Sequence, residues 1–270
     1  DISEGQVEIT LIDKHGYHLF TPALYEIASA YGLKKDPFAV QLRRTICLPY
    51  ADIFSGKKIN FIEAEISDVN LAHKMVSTTG GHILEYDYLV FALGAEIADY
   101  DTKGVVEYAH MFKTLDDALF INQKLGDLSE EFTNGTRTEP FSFLICGGGF
   151  TGIEVAAELG CCSKVIKYKC KFRGRCSSIT IFEAGPKILP SISDKERKII
   201  KDRLTQLGIV LMENSPIEEI ESNHIKLKTG QKVSGDLIIW TAGTKPHQLL
   251  PSINRLPLTV TGKIKVNADL

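Results

Sequence analysis

The sequence predicts an α/β protein made of two related units, each with a parallel β-sheet and a small antiparallel appendage. Three observations support this prediction. An apolar run that favours β-structure, residues 141–146, enters a glycine-rich turn and is followed by a run of helical character. A second β-like run ends on Glu183. Finally, segments 87–94 and 236–243 share an acidic start, an apolar centre and a terminal glycine, as expected of a duplicated unit.

Length, charge and apolar patterning exclude several classes of protein. The chain has 270 residues, enough for two domains, and a net charge of −3 with basic and acidic residues interspersed, so we expect no nucleic-acid partner. No stretch contains the roughly eighteen apolar residues needed to cross a bilayer, and the first residues do not resemble a cleavable leader. The six cysteines, without a secretory context, predict reduced thiols in an intracellular protein.

The glycine-rich turn predicts a dinucleotide site. In the pattern Gly147-x-Gly149-x-x-Gly152, the first glycine allows a tight turn, the second lets a pyrophosphate approach the backbone, and the third lets helix and strand pack closely. The helix N-terminus adds free N–H groups and a positive dipole end. Glu183 follows at the end of the next strand, where a carboxylate accepts hydrogen bonds from a ribose; its spacing exceeds the usual twenty or so residues because of an insertion. The alternative is a glycine turn that serves only packing.

The first part of the chain predicts an incomplete copy of the same plan. Residues 7–13 form a β-like run that ends on Asp13, so its own strand and glycine turn are expected before residue 1. After it we predict a turn and a short helix with Pro22 in its first turn, an apolar helix from 39 to 54 interrupted near Pro49, one half-buried strand over 59–69, a hairpin around Gly80 and Gly81, and a buried strand over 87–94.

The second part repeats this order. Thr114 is placed to cap a helix, with Asp116 and Asp117 near its positive end. Residues 133–140 predict the loop that leads into the glycine strand. After the strand that ends on Glu183 we predict strands over 209–212, 217–222 and 224–228, a return strand after Gly230, and a buried strand over 236–243.

Five stretches of the sequence are similar to one family, and they are residues 13–28, 86–95, 147–154, 182–190 and 239–246. The chain resembles the type II NADH dehydrogenases, which are NADH:quinone oxidoreductases of the FAD/NAD(P)-binding pyridine nucleotide-disulfide oxidoreductase superfamily. The resemblance implies two Rossmann-like units, of which the FAD unit lacks both its ends: a partial FAD-binding domain over 1–113, an NAD(H)-binding domain over 114–244 and a return segment to the FAD-binding domain over 245–270.

For the parent protein, the resemblance implies hydride transfer from NADH to FAD and two-electron reduction of a quinone. It further implies a cytoplasmic protein, peripheral on the inner face of the cell membrane, that contacts the membrane through a C-terminal region beyond residue 270; a homodimer is compatible with it. Two other functions stay open. One is a catalytically silent NAD(H)-binding module, and the other is a related flavoprotein reductase that uses a non-quinone acceptor.

The resemblance also implies the site residues. Glu154 lies where the family has a glutamate near the nicotinamide and flavin rings; alternatively, Thr151 and Glu154 form a capping box. The charge of Glu183 would repel a 2′-phosphate, so NADH is expected over NADPH. The NAD(H)-binding residues are Gly147, Gly148, Gly149, Phe150, Thr151, Gly152, Glu183, Ala242 and Gly243. The FAD-binding residues are Asp13, Lys14, Thr21, Pro22, Ile66, Ala92 and Gly94.

The insertion at residues 161–176 contains four of the six cysteines among lysines and arginines. Its cysteines lack the paired spacing of a metal site, so we predict a lengthened helix and loop with a solvated basic face. Contact of this face with anionic lipid is the alternative. No Cys-x-x-Cys pair occurs in the chain, which argues against the disulfide-reductase branch of the superfamily. The histidines are scattered and receive no chemical role.

Overall fold

The computed structural model describes residues 7–30, 43–170 and 177–268. The chain forms two compact units, one from Asp1–Phe20, Thr45–Glu96 and Thr244–Leu270, the other from Thr21–Arg44 and Ile97–Gly243. Both contain parallel strand pairs and a separate three-stranded antiparallel sheet, so the predicted α/β class is confirmed.

The strands and helices are numbered in chain order. The strands are β1 (Ile9–Asp13), β2 (Tyr17–Leu19), β3 (Cys47–Pro49), β4 (Ile59–Glu63), β5 (Ile66–Asn70), β6 (Met75–Thr78), β7 (Ile83–Glu85), β8 (Ala95–Ile97), β9 (His110–Met111), β10 (Phe141–Cys146), β11 (Ser177–Phe182), β12 (Val210–Met212), β13 (Ile217–Glu221), β14 (His224–Leu227), β15 (Lys232–Ser234), β16 (Leu237–Trp240) and β17 (Thr244–Pro246). The α-helices are α1 (Leu24–Ser29), α2 (Tyr50–Ile53), α3 (Val105–Tyr108), α4 (Leu115–Thr133), α5 (Phe150–Cys170) and α6 (Asp194–Leu207), and 3₁₀ turns span Thr21–Ala23 and Leu250–Ser252.

The first unit contains a short parallel pair and an antiparallel appendage. Strands β1 and β4 run parallel with Asp13 opposite Glu63, and β5, β6 and β7 form the appendage. The single strand predicted over 59–69 is therefore wrong. The parallel pair ends at Ala64, whose N–H donates a hydrogen bond to the Asp13 carbonyl. The chain then enters the antiparallel appendage as β5.

The helix predicted from 39 to 54 is also more broken than expected. Residues 39–42 lie outside the described residues, and residues 43–46 are helical. Strand β3 then pairs with β2 before α2 begins at Tyr50. Pro49 thus ends a short strand, where its missing N–H costs no helical hydrogen bond.

The strand predicted over residues 87–94 does not form. Tyr88 and Val90 are 94% and 84% exposed, and residues 87–94 are not part of any sheet among the described residues, although Leu89, Phe91 and Leu93 pack against the core. Its counterpart in the second unit, β16, is hydrogen-bonded on both sides, by β10 and β9. An apolar run needs a neighbouring backbone to become a strand, which the periodicity alone does not reveal. The terminal glycines of the two copies still agree, with φ of +70° at Gly94 and +65° at Gly243.

The second unit is built on a five-stranded parallel sheet in the order β12-β11-β10-β16-β9. The central strand β10 is buried at every position except Ser142, as expected of a parallel strand covered on both faces. The N-cap predicted at Thr114 is confirmed in α4, where Thr114 and Asp117 also exchange backbone and side-chain hydrogen bonds as a capping box. The antiparallel appendage β13-β14-β15 also forms as predicted.

Helix α4 holds the short helix α1 through a buried asparagine. Asn122 is 8% exposed, and its Nδ2 donates to the carbonyls of Ala28, at 3.4 Å, and Ala30, at 2.5 Å. These carbonyls lie at the C-terminal end of α1, where helical partners are missing. The amide therefore satisfies groups that burial would otherwise leave unpaired.

We expect Asn122→Ala to lower the free energy of unfolding by about 2 kcal/mol, because it removes these bonds and leaves a small cavity. Urea unfolding followed by circular dichroism measures this change. Gln123→Ala is the matched control, since Gln123 is exposed on the same helix. Equal stability of the two variants would contradict the assigned role of Asn122.

Candidate nucleotide-binding site

Three strand ends meet at one edge of the five-stranded sheet. In the register, Cys146 at the end of β10 pairs with Phe182 of β11 on one side and Trp240 of β16 on the other. Because all three strands are parallel, the residues that follow them emerge at the same edge. In open α/β sheets, this edge is where ligands bind, at the point where the strand order reverses.

The three fingerprint glycines differ in how closely other atoms surround them. Gly147 has φ of +119°, a value that favours glycine, and begins the turn. A Cβ on Gly152 would lie 2.1 Å from the carbonyl oxygen of Gly147, so only glycine lets α5 start this close to the turn. A Cβ on Gly149, in contrast, would meet no atom within 4 Å. The turn is therefore packed behind Gly152 and open in front of Gly149.

The Glu183 carboxylate lies at this turn. Its Oε2 accepts the N–H of Gly148 at 2.8 Å, and its Oε1 accepts the N–H of Gly185 at 2.7 Å. A Cβ on Gly148 would approach Glu183 Oε2 to 2.9 Å and Ile188 Cγ2 to 2.6 Å, so this glycine makes room for the carboxylate. The structure thus brings Glu183 and the glycine turn together.

The loop that follows Glu183 is held by a buried arginine. Arg197 of α6 is 4% exposed; its Nε donates to the carbonyl of Ile188 at 2.7 Å, and its guanidinium also donates to the carbonyls of Leu189 and Ile192. The same guanidinium forms an ion pair with Asp194. The N–H of Leu189 in turn donates to the Gly148 carbonyl at 3.1 Å. A continuous set of hydrogen bonds therefore joins α6 to the glycine turn.

A second carboxylate supports the same loop. Glu213 accepts the N–H of Ile188 at 2.8 Å and a hydrogen bond from Lys201 at 2.6 Å. Burial acts to raise the pKa of Glu213, but the hydrogen bonds from Lys201 and Ile188 outweigh it and leave the pKa lowered. Glu213 therefore stays ionised at neutral pH and keeps both partners.

The start of α5 carries the predicted residues Phe150, Thr151 and Glu154. The helix begins at Phe150, whose side chain is 56% exposed, and the N–H of Ile153 donates to the Gly149 carbonyl. Thr151 therefore lies inside the helix, and the Thr151–Glu154 pair does not occupy the cap and third positions that a capping box requires. Neighbouring atoms desolvate the Glu154 carboxyl and raise its pKa.

Helix α1 lies near Glu154. Burial raises the pKa of the Tyr25 phenol first, and the carboxylates of Glu26, Glu154 and Glu158 raise it further. Acidic and phenolic groups therefore cluster beside the first turns of α5. A carboxyl with a raised pKa holds a proton closer to neutral pH, which suits a group that exchanges protons with a ligand.

The segment that follows β16 closes the other side of the turn. The N–H and the hydroxyl of Thr241 both donate to the Cys146 carbonyl, at 2.9 and 3.0 Å. A Cβ on Gly147 would lie 3.0 Å from the backbone of Ala242, so the turn and this segment are in close contact. At Gly243 the backbone is not open to a ligand on the side where a Cβ would stand. The phenol of Tyr100 occupies that space.

Asp13 of the first unit repeats part of the Glu183 arrangement. Its Oδ1 accepts the N–H of His15, two residues on, as Glu183 accepts the N–H of Gly185. Its Oδ2 accepts the Tyr50 hydroxyl at 2.9 Å; burial and then this carboxylate raise the pKa of Tyr50 to about 12. Among the described residues of this unit, however, no glycine turn joins a strand to a helix beside Asp13.

The other predicted flavin residues are spread over both units. Lys14 is exposed beside Asp13, and Ile66 pairs with Thr78 in the appendage. Gly94 lines a cleft of about 280 Å³ with Lys245 and Lys263 among its walls, a charge that suits a phosphate. Ala92 is exposed near it, whereas Thr21 and Pro22 are exposed in a 3₁₀ turn that belongs to the second unit.

Comparison with known proteins assigns the family. The model of the pyridine nucleotide-disulphide oxidoreductase family matches residues 1–270. The chain belongs to this family.

Within the described part of the chain, no cluster of three or more histidine, cysteine or carboxylate side chains could hold a metal ion, and the helices there are too short or too polar to cross a membrane.

The chain is similar to several known proteins, some of which are named as type II NADH:quinone oxidoreductases. The chain is 26% identical over 296 residues to the type II NADH:quinone oxidoreductase of Haemophilus influenzae, covering 99% of this chain and 64% of that protein. It is 28% identical over 270 residues to the demethylphylloquinone reductase NdbB of Synechocystis, covering 97% and 61%. It is also similar to the structure of NDH2 from Plasmodium falciparum in complex with NADH, with a TM-score of 0.79, 25% identity and coverage of 95% and 54%. The chain thus spans less than two thirds of these relatives' length.

Three contributors to the site were missed at the level of sequence. Arg197 lies in a helix whose charged residues otherwise predict a solvated face, so nothing marked it as buried. Thr241 was hidden within an apolar run, although a threonine directly after a strand end is a candidate for bonding backbone groups. Tyr100 is far from the fingerprint in sequence, and only the fold places it over Gly243.

Proposed function

We propose that the full-length protein is an FAD-dependent NADH:quinone oxidoreductase and that the second unit binds NAD(H) at its glycine turn. The observation that carries this proposal is the open face of Gly149, with the Glu183 carboxylate hydrogen-bonded to the adjoining Gly148. A pyrophosphate needs such an open backbone, and a ribose needs an acceptor next to it. The relatives named for NADH and quinones support the same activity.

Different residues of the second unit bind different parts of NADH. The α5 N-terminus and the turn hold the pyrophosphate, and Glu183 accepts from the adenosine ribose hydroxyls. Because β11 and β16 flank β10 on opposite sides, the nicotinamide half lies toward the end of β16, at Ala242 and Gly243. Glu154 stands in the first turns of α5 as a partly desolvated carboxyl. When bound, FAD accepts the hydride and passes electrons on.

The proposal extends to the domains and partners of the parent protein. Residues 1–113 and 245–270 would form the flavin-binding part, with Asp13, Lys14, Ile66, Ala92 and Gly94 as contacts, together with Thr21 and Pro22. Residues 114–244 would bind NAD(H). The acceptor would be a quinone reached at the inner face of the cell membrane, and the protein would contact the membrane from the cytoplasmic side. A homodimer is compatible with this arrangement.

The test is binding of NADH to the 270-residue chain and its Glu183→Gln variant. Trp240 is the single tryptophan and is buried next to the site, so energy transfer from its indole to NADH reports binding. We expect Glu183→Gln to weaken NADH binding by about tenfold, since charged hydrogen bonds are worth about 1.5–3 kcal/mol. It should also reduce the preference for NADH over NADPH, because the charge that repels a 2′-phosphate is gone.

The control is Glu130→Gln, which removes the same charge from an exposed position of α4. It should bind NADH as the unmodified chain does. No binding of NADH to the unmodified chain would overturn the proposal. An unchanged NADH/NADPH ratio in Glu183→Gln would remove Glu183 from the ribose site.

A second candidate is an NAD(H)-binding module without catalytic activity. It would need only the second unit, in which Glu183 and the glycine turn are brought together. Flavin absorbance near 450 nm decides between the two for this chain. A yellow protein that bleaches with NADH supports the oxidoreductase, whereas a colourless protein that binds NADH supports the module. Comparing quinones with protein acceptors on the full-length protein then tests the nature of the acceptor.

A further inference from the structure

Tyr100 lies directly over Gly243, at the end of the sheet edge assigned to the nicotinamide half. A Cβ on Gly243 would be 1.8 Å from Tyr100 Oη and 2.5 Å from its Cζ, so the phenol fills the space that glycine leaves. Both residues belong to the second unit. A ligand that passes the end of β16 would therefore meet the tyrosine ring as well as backbone.

The segment that carries Tyr100 is fixed to the strand end by two hydrogen bonds. The N–H of Ala98 donates to the Gly243 carbonyl at 3.4 Å, and the indole N–H of Trp240 donates to the Ala98 carbonyl at 2.8 Å. Trp240 is buried, which makes this anchor part of the core. The position of Tyr100 is thus set by β16 itself.

The backbone of Tyr100 has an unfavourable conformation for its residue type. Tyr100 and Asp101 both have φ of +53°, and the N–H of Thr102 donates to the Asp99 carbonyl at 3.0 Å. Turns with two consecutive positive φ angles prefer asparagine or glycine at these positions. Tyrosine here costs stability, and strained residues of this kind are concentrated at ligand sites.

The ring of Tyr100 is also available to a ligand. The residue is 64% exposed although its hydroxyl end contacts Gly243, so most of the aromatic surface faces solvent. Exposed aromatic rings on an anchored segment suit stacking against a flat heterocycle, because little conformational freedom is lost on binding. The nicotinamide ring is the flat group at this end of the dinucleotide.

We propose that Tyr100 is a binding residue for the nicotinamide half of NAD(H), which its ring contacts at the end of β16. This inference rests on the proposed function, because it assumes that the dinucleotide crosses the glycine turn with its adenosine at Glu183. It assigns to Gly243 the role of making room for Tyr100. It also explains why a residue type that the turn disfavours is placed there.

The test compares NADH with ADP-ribose, which lacks nicotinamide, by titration calorimetry on Tyr100→Asn and Tyr100→Phe. Asparagine favours the positive φ, so Tyr100→Asn should fold at least as stably as the unmodified chain. We expect it to weaken NADH binding by about tenfold and ADP-ribose binding by less than about twofold, the range expected for loss of one aromatic contact. Tyr100→Phe keeps the ring and should bind both ligands within about twofold of the unmodified chain.

The outcomes separate this inference from the proposed function. Glu183→Gln should weaken both ligands alike, because both contain the adenosine ribose. Loss of both ligands alike in Tyr100→Asn, or no loss of either, would overturn the role of Tyr100 while leaving the NAD(H) site in place. If the unmodified chain bound neither ligand, the proposed function and this inference would fall together.

Discussion

Gly152→Ala is expected to lower the free energy of unfolding by about 3 kcal/mol, whereas Gly149→Ala should change it by less than about 0.5 kcal/mol. The reason is the 2.1 Å approach of a Cβ on Gly152 to the Gly147 carbonyl oxygen, which side-chain rotation cannot relieve. Alanine gains about 1 kcal/mol of helix propensity over glycine, and the clash exceeds this gain. At Gly149 the added methyl meets no atom, and the backbone there does not need a positive φ.

In NADH binding the order of the two variants should be reversed. When both are folded, Gly149→Ala should lose more NADH affinity than Gly152→Ala. The methyl group of Gly149→Ala would occupy the open face where a pyrophosphate approaches, and we expect at least about a tenfold loss of affinity, about 1.4 kcal/mol. Thermal unfolding and NADH titration on the same samples measure both effects. A stable Gly152→Ala would show that the turn can shift, and tight NADH binding by Gly149→Ala would place the pyrophosphate elsewhere.

Arg197→Leu is expected to cost about 3 kcal/mol of stability and to weaken NADH binding through the loop that follows Glu183. The substitution leaves the carbonyls of Ile188, Leu189 and Ile192 without their buried donor. Because Leu189 also donates to the Gly148 carbonyl, movement of this loop reaches the glycine turn. Arg197→Lys keeps the charge but cannot reach three carbonyls at once, so it should recover only part of the loss.

Urea unfolding and NADH titration again give the measurements for Arg197. Arg203→Leu is the matched control, because Arg203 is exposed on the same helix and the change of residue is identical. We expect it to alter stability by less than about 0.5 kcal/mol. A loss of NADH affinity in Arg203→Leu equal to that in Arg197→Leu would mean that net charge, and not the loop, sets the affinity.

The features that sequence predicted well are those decided by local pattern. The apolar run 141–146 predicted a buried strand next to a turn, and Thr114 forms the expected N-cap because its bonding partner, the N–H of Asp117, lies within one helical turn. The fingerprint pattern predicts a separate role for each glycine. The positive φ of Gly147 and the close approach at Gly152 are those of a tight turn and of close packing, whereas the pyrophosphate role of Gly149 stays a prediction.

The features that sequence did not reveal depend on residues far apart in the chain. Burial of Arg197 is a property of the loop that folds over it, and the contact of Tyr100 with Gly243 is a property of the sheet edge. The split of 59–69 into β4 and β5 follows from the parallel pairing with β1. The periodicity of a segment shows which of its faces is apolar. It does not show which other segment's backbone will lie beside it.

The segment 87–94, which has one face packed on the core and the other exposed, has a practical consequence for handling the molecule. It presents Tyr88 and Val90 to water on a stretch whose backbone joins no sheet. Such a stretch invites strand addition by another copy, which is a common route to aggregation. Concentrated solutions of the isolated polypeptide would therefore tend to self-associate through this segment, and a charged residue in place of Val90 would act as a gatekeeper against it.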